Sequence, residues 1–278
     1  MTDTPARAEM IALLSDQWDA LTELLAGLDE HRWRTPSPLP GWTTFDVLAH
    51  IVGTESLLLG EQPPAPDPKQ AQVEVQSLPH VRNEVAVLNE TWVRGLRSLS
   101  GEQLLQRFRE VTRRRLDALA AMDDEQWLAL SPSPVGEVPY ARFMRVRLFD
   151  CWMHELDIAD ALQVQVNEGG PRAEMAFAEF SVSLPRVLVK LGKAPEGSRI
   201  VFELTGPLAR TLNIRVNGRA RYVDELDESP TVTIAMDSGL LMRLGGGRVT
   251  ADSELGRIRF RGDSDLGRQL VRNLAFTI

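Results

Sequence analysis

The sequence predicts a two-domain α+β protein in which an all-helical part comes first and a part with both helices and strands follows. One observation is the spacing of apolar residues, which recur three and four positions apart up to about residue 163. A second is a series of short β-like runs that starts at residue 199 and includes an Asn217-Gly218 hairpin signal. Because a polar, glycine-rich stretch at 167–171 separates these patterns, we expect one domain over residues 1–165 and another over residues 166–278.

The first domain is expected to be an up-down bundle of four main helices, with five helical segments in all. Its first helix covers about residues 5–28 and carries Met10, Trp18 and several leucines on one face. Thr43 or Thr44 can cap the next helix, which runs to about Gly60. The remaining helical segments are expected at about 80–98, 102–122 and 140–163, with proline-rich loops at 35–41, 62–68 and 131–136.

The second domain is expected to combine a small sheet with helices. A helix of about 171–191 opens it, and the Asn217-Gly218 pair predicts a two-residue hairpin turn. Five strands are expected at about 199–204, 212–216, 220–223, 231–235 and 258–261, with helices at about 237–244 and 264–273.

Composition excludes several classes of function. The net charge of −8 argues against a nucleic-acid partner, and no apolar run reaches the roughly 18 residues that a membrane-spanning helix needs. The N-terminal residues lack a basic stretch followed by an apolar one, so we expect no signal peptide. A single cysteine, Cys151, fits a reducing compartment. We expect a cytoplasmic protein, a monomer or a homodimer, with no membrane partner.

Three residues predict a metal site. Asp150 and His154 are four positions apart, so both side chains project from one helical face, and His50 lies in another apolar helix. Three such ligands leave a coordination position open, as in catalytic metal centres. Taken alone, His50 is more typical of a core or capping residue, and Asp150 has an alternative in an ion pair with Arg145 or Arg147.

Neighbouring residues offer weaker signals. Cys151 projects about 100° away from Asp150 and is expected to pack rather than to ligate or attack. Glu155 and Asp157 are candidates for orienting a ligand. The run 113–115, three arginines, is expected to lie on a solvated helix face, and the glycines at 245–247 are expected to form a turn, not a phosphate loop.

Four segments carry a resemblance that spans nearly the whole chain. The segments are Thr35–Thr43 (TPSPLPGWT), Asp46–Ile51 (DVLAHI), Arg147–Ile158 (RLFDCWMHELDI) and Arg261–Arg268 (RGDSDLGR) with Asn273–Phe276 (NLAF). They are similar to the mycothiol-dependent maleylpyruvate isomerase family, whose members have a DinB-like four-helix bundle and, in many cases, a C-terminal domain resembling sterol carrier proteins.

The resemblance implies a set of site residues and cofactors. The family's metal ligands fall on His50, Asp150 and His154, although the isomerase is expected to have Glu where this chain has Asp150, which marks a subgroup. The metal would be Zn²⁺ or a similar divalent ion, and the thiol would be mycothiol. The isomerase also relies on an arginine from its C-terminal domain; we expect Arg248, or failing that Arg243, to receive a carboxylate substrate as that domain closes over the metal.

The sequence thus leads to two main hypotheses about function, and a third is a family member with metal-dependent chemistry on a different substrate, which Asp150 in place of Glu leaves open. The first is an enzyme that activates a low-molecular-weight thiol on the metal for addition or transfer to a small electrophilic substrate, as an isomerase or an S-transferase. The alternative is a non-catalytic protein that binds a small molecule or lipid in its second domain and keeps a structural or vestigial metal site.

Overall fold

A helical first part and a sheet-containing second part make up the chain in the computed structural model, which describes residues 5–277, apart from the side chains of residues 69 and 70. The fold class predicted from the sequence is confirmed. Contacts divide the chain into two compact units, Met1–Val166 and Asn167–Ile278. Within the described residues, no helix is both long enough and apolar enough to cross a membrane.

Five long helices dominate the first unit. The α-helices are α1 (Arg7–Leu25), α2 (Glu30–Trp33), α3 (Thr44–Leu58), α4 (Pro68–Ala71), α5 (Glu84–Leu96), α6 (Gly101–Ala121), α7 (Asp124–Leu128) and α8 (Tyr140–Leu162). The core is built from α1, α3, α6 and α8. Helix α1 packs on α6 and α8, and α3 packs on α5, α6 and α8.

Two predictions about the first unit were wrong in detail. The first helix ends at Leu25, because Gly27 adopts a left-handed conformation (φ 72°). Residues 131–136, expected to be a loop, belong mostly to an antiparallel hairpin of β1 (Leu130–Ser133) and β2 (Gly136–Pro139). Prolines are tolerated in such a pair because both strands are sheet edges, where a missing N–H need not break a ladder.

The second unit is a five-stranded mixed sheet with helices. Its elements are α9 (Gly170–Lys190), β3 (Arg199–Thr205), β4 (Arg210–Asn217), β5 (Arg219–Val223), β6 (Val232–Asp237), α10 (Ser238–Gly245), α11 (Ala251–Glu254), β7 (Arg259–Gly262) and α12 (Ser264–Arg272). The strand order is β5-β4-β3-β6-β7, and β3 and β6 run parallel while the other neighbours are antiparallel.

The predicted β4–β5 hairpin is present, with a shifted turn. Asn217 lies opposite Arg219, so Gly218 alone occupies the tip and not the Asn217-Gly218 pair. Gly218 has a φ of 65°, which glycine adopts without steric cost. The predicted turn at 245–247 is confirmed, since α10 ends there and Gly247 has a φ of 69°.

A proline inside α9 explains one contact between helix and sheet. Pro185 has no backbone N–H, so the carbonyl of Ser181, four residues earlier, loses its helical donor. The Tyr222 hydroxyl of β5 donates a hydrogen bond to that carbonyl at 2.9 Å. The strand thereby satisfies the acceptor that the proline leaves open.

Candidate metal centre

Helix α3 places His50 in the interior of the first unit. Its start is fixed by a capping box, in which the Thr43 side chain accepts from the backbone N–H of Asp46 and the Asp46 carboxylate accepts from that of Thr43. The next turns are apolar on every side, and His50 is 5% exposed among them. A polar ring in this position needs a partner across the bundle.

Helix α8 supplies that partner. It carries Asp150 and His154 one turn apart, and both face His50. His50 Nε2 lies 3.2 Å from Asp150 Oδ2, and His154 Nε2 lies 3.6 Å from Asp150 Oδ1. The two imidazole rings meet edge to face at 5.0 Å. The structure therefore brings together the three predicted ligands, with one donor atom from each within 4.8 Å of the others.

The donor set fits a divalent cation. Two imidazole nitrogens and one carboxylate oxygen are ligands that Zn²⁺ accepts, and three protein ligands are typical of a site with an open position. The Asp150 side chain is 31% exposed, whereas the side chains of the two histidines are only 6–7% exposed, so solvent reaches the cluster at the Asp150 carboxylate. Among the described residues, the buried Nδ1 of His50 has no hydrogen-bond partner.

Asp157 orients His154. Its carboxylate is fully buried and lies 2.9 Å from His154 Nδ1. A hydrogen bond at Nδ1 directs the other ring nitrogen, Nε2, toward Asp150, as commonly occurs around metal-bound histidines. The carboxylate of Glu155, the other candidate for orienting a ligand, accepts a hydrogen bond from Gln17 at 2.7 Å. The spacing of three residues between His154 and Asp157 was the signal in the sequence.

The ion pair expected as an alternative for Asp150 also forms. Arg147 Nη1 donates to Asp150 Oδ2 at 2.8 Å, and Arg147 Nε donates to Glu55 Oε1 at 2.9 Å. Glu55 is in turn held by Arg115, whose Nε donates to it at 2.9 Å. Asp150 therefore belongs both to the histidine cluster and to a buried chain of charges formed with Arg147, Glu55 and Arg115. The spacing of residues in the sequence did not reveal the part of this chain that involves Glu55 and Arg115.

The pKa values of the three candidate ligands shift for different reasons. Burial disfavours the imidazolium of His50 and lowers its pKa despite the attraction of Asp150. Burial also opposes the charged form of His154, but Asp150 and Asp157 outweigh it and raise the pKa of His154 to about 9. For Asp150, burial works against ionisation, yet His154, Arg147 and His50 hold its pKa well below the usual range. Asp150 is therefore an anion at neutral pH, as a metal ligand must be.

An aromatic residue borders the cluster. The indole ring of Trp42 lies 5.4 Å from the His50 ring, centroid to centroid. Its Nε1 donates to Glu90 at 2.9 Å, and Glu90 also accepts from Arg94. The turn before α3, part of the segment that carries the family resemblance, is thus anchored on α5.

Two of the weaker signals have a clear outcome. Cys151 packs in the core as expected, and burial raises the pKa of its thiol to about 12, which removes it as a nucleophile. The prediction that residues 113–115 are a solvated face was wrong for Arg115, which is 1% exposed and paired with Glu55. Three consecutive helical residues span about 200°, so they cannot share one face.

Arg243 and Arg248 lie in the second unit. Both nitrogens of the Arg243 guanidinium fork donate to Glu168, at 2.8 and 3.0 Å. Arg248 follows the turn after α10: its backbone N–H donates to the Arg243 carbonyl at 2.8 Å, and its side chain donates to the Gly246 carbonyl. Their part in binding substrate stays a prediction.

Comparison with known proteins gives relatives for both units. Residues 14–159 match the family model described as the mycothiol maleylpyruvate isomerase N-terminal domain, and residues 174–269 match the MDMPI C-terminal domain. Uncharacterized proteins from two strains of Mycobacterium tuberculosis are each 32% identical to the chain over 155 residues. That alignment covers 55% of this chain and 56% of the relatives, so the chain spans little more than half their length.

Solved structures agree on the fold. Two crystal structures of the mycothiol-dependent maleylpyruvate isomerase, one of them a point mutant, align with TM-scores of 0.57 and 0.56. Sequence identity is 18% and 16%, with 88% of this chain and 90% of the isomerase covered. This likeness shows the fold alone. Because the N-terminal family model matches more than half of the sequence, the chain belongs to the mycothiol maleylpyruvate isomerase family.

Proposed function

We propose that this chain is a metal-dependent enzyme that uses mycothiol, or a similar low-molecular-weight thiol, in a reaction with a small electrophilic substrate. The observation that carries the proposal is the convergence of His50 with Asp150 and His154, which lie on a helix a hundred residues later in the sequence, within a family named for a mycothiol-linked isomerase. The reaction would be an isomerisation of the maleylpyruvate type or an S-transfer.

Each residue of the candidate metal centre would have a distinct role. His50, Asp150 and His154 would hold Zn²⁺ or a similar divalent ion, and Asp157 keeps the ring of His154 in its orientation. When bound, the ion would supply a positive centre that favours the thiolate form of the thiol. The half-buried Asp150 marks the side from which small molecules reach the cluster.

The thiol must come from outside the chain. Cys151 is the only cysteine in the sequence, and it is fully buried with a pKa raised to about 12. A buried, protonated thiol is a poor nucleophile. This supports a thiol cosubstrate in preference to a covalent mechanism on the protein.

Metal analysis and a thiol assay together test the proposal. The purified protein should contain or take up a divalent metal, and His154→Ala should abolish uptake while the helix persists, because alanine is a good helix former. His31→Ala, which changes an exposed histidine outside the cluster, is the matched control. Electrophiles of the maleylpyruvate class are then incubated with mycothiol, with glutathione or with no thiol.

The products separate the hypotheses. Isomerised substrate with the thiol regenerated identifies an isomerase, and an accumulating thiol conjugate identifies an S-transferase. Metal uptake without thiol-dependent turnover would favour the structural or vestigial metal site of a binding protein. Equal metal uptake by the unchanged protein and by His154→Ala would overturn the proposal.

A further inference from the structure

Arg147 joins the candidate metal centre to a buried charge cluster. Its side chain is 5% exposed and uses two different nitrogens: Nη1 donates to Asp150 Oδ2 at 2.8 Å and Nε donates to Glu55 Oε1 at 2.9 Å. These two carboxylates lie on different helices, α8 and α3. One guanidinium therefore fixes a candidate ligand relative to the helix that carries His50.

Glu55, the second carboxylate that binds Arg147, is itself held in place by another arginine. Glu55 is 1% exposed and also accepts from Arg115 Nε at 2.9 Å. Arg115 reaches the start of α8 as well, where its Nη2 lies 2.9 Å from the Tyr140 hydroxyl oxygen. Since every charged group in the cluster is paired, Arg147 has little freedom to move.

The two oxygens of Asp150 are consequently not equivalent. Oδ2 accepts from Arg147 and lies 3.2 Å from His50 Nε2. Oδ1 has a longer contact, 3.6 Å to His154 Nε2. Oδ1 is thus the oxygen less engaged by the protein.

We propose that Arg147 is a positioning residue that holds Asp150 through Oδ2, so that Oδ1 alone is presented to the metal ion. The inference rests on the proposed function and adds a residue to it. Arginine suits the task because its planar fork offers separate donors to two carboxylates, whereas lysine has one nitrogen on a flexible stem. Charge alone is therefore not enough, and the fork is required.

Cobalt binding tests this without measuring turnover. Co²⁺ has visible absorption that reports coordination number, and its affinity is measured by competition with a chromogenic chelator. The variants are Arg147→Lys, which keeps the charge, and Arg147→Met, which removes it. Arg107→Met is the control, because it removes the same charge from an arginine of the first unit that is paired with a glutamate, Glu61. Circular dichroism confirms that each variant is folded, and if Arg147→Met does not fold, Arg147→Lys decides.

We expect both Arg147 variants to bind Co²⁺ about 10–100-fold more weakly, the usual effect of losing a group that orients a ligand. Their absorption should also weaken, because a released carboxylate can bind through both oxygens and raise the coordination number. Arg107→Met should resemble the unchanged protein. Unchanged affinity and spectrum in the Arg147 variants would overturn the inference while the metal site stands. No Co²⁺ binding by the unchanged protein would overturn the proposed function and this inference together.

Discussion

The contact between Asp157 and His154 allows a quantitative prediction about metal affinity. Asp157→Asn keeps the size of the side chain but removes its charge. An asparagine amide can donate to Nδ1, which would place the ring proton on Nε2, the nitrogen that faces Asp150. We therefore expect the variant to bind metal more weakly.

The structure sets the size of the effect. The Asp157 carboxylate is fully buried, and its oxygen lies 2.9 Å from His154 Nδ1. Hydrogen bonds to charged groups contribute about 1.5–3 kcal/mol. With a tenfold change for every 1.4 kcal/mol or so, the dissociation constant should rise about 10–100-fold.

Isothermal titration with Zn²⁺ at neutral pH measures the change. Asp160→Asn makes the same substitution at an exposed position on the same helix, and it should bind as the unchanged protein does. The reasoning is refuted if Asp157→Asn binds Zn²⁺ as tightly as Asp160→Asn does. Chemical denaturation of both variants shows whether a loss of affinity merely follows a loss of stability.

The remaining predictions concern stability, pH and turnover. Tyr222→Phe should lower the free energy of unfolding by about 1 kcal/mol, but by much less in a Pro185→Ala background, where the helix regains its backbone donor; a double-mutant cycle measures this. Burial opposes ionisation of Glu55, but two arginines lower its pKa below the ordinary 4.5. The ionised Glu55 carboxylate therefore stabilises the fold above that value, and this stabilisation is lost as pH falls through the folded-state pKa. The stability gap, which is the difference in free energy of unfolding between the unchanged protein and Glu55→Gln, should therefore shrink in acid. Arg248→Ala should reduce thiol-dependent turnover with metal content unchanged, whereas Arg243→Ala should also lower stability.

Each of these predictions has a contradicting outcome. Equal costs of Tyr222→Phe in both backgrounds would mean that the hydroxyl does not replace the missing helical donor. A stability gap that stays constant from neutral to acidic pH would show that the charge of Glu55 is not what stabilises the cluster. Normal turnover in Arg248→Ala would remove that residue from substrate binding.

Local signals predicted most elements of the fold, and their limits explain the errors. Thr43 and Asp46 form the capping box that starts α3, and α8 follows its apolar periodicity over nearly the predicted range. Turn signals were less informative, because prolines and glycines mark where a helix cannot continue and do not say what replaces it. That is why residues 131–136 were expected to form a loop and the structure has a hairpin there.

The buried charge cluster of Glu55, Arg115 and Arg147 could not be predicted from the sequence, for a different reason. Glu55 and Arg147 are 92 residues apart, and their pairing follows from how α3 and α8 pack, which no periodicity encodes. A single charge in an apolar helix indicates that a partner exists, since an unpaired one is costly. It does not identify the partner. Arg115 lies in a run of three arginines, a pattern that indicated a solvated helix face, whereas its side chain is buried.

The spacing along α8 nevertheless contained more of the site than the ligand pair. Arg147, Asp150, His154 and Asp157 follow one another at intervals of three, four and three residues, the stripe that normally carries the apolar core face of a helix. Here the other faces of α8 are also largely buried, so the polar stripe lies inside the bundle. Such a stripe is stable only if its members satisfy one another or groups on neighbouring helices. Arg147 pairs with Asp150, and Asp157 pairs with His154. A polar stripe at helical spacing in an otherwise apolar helix therefore predicts the candidate ligands together with the residues that hold them in place.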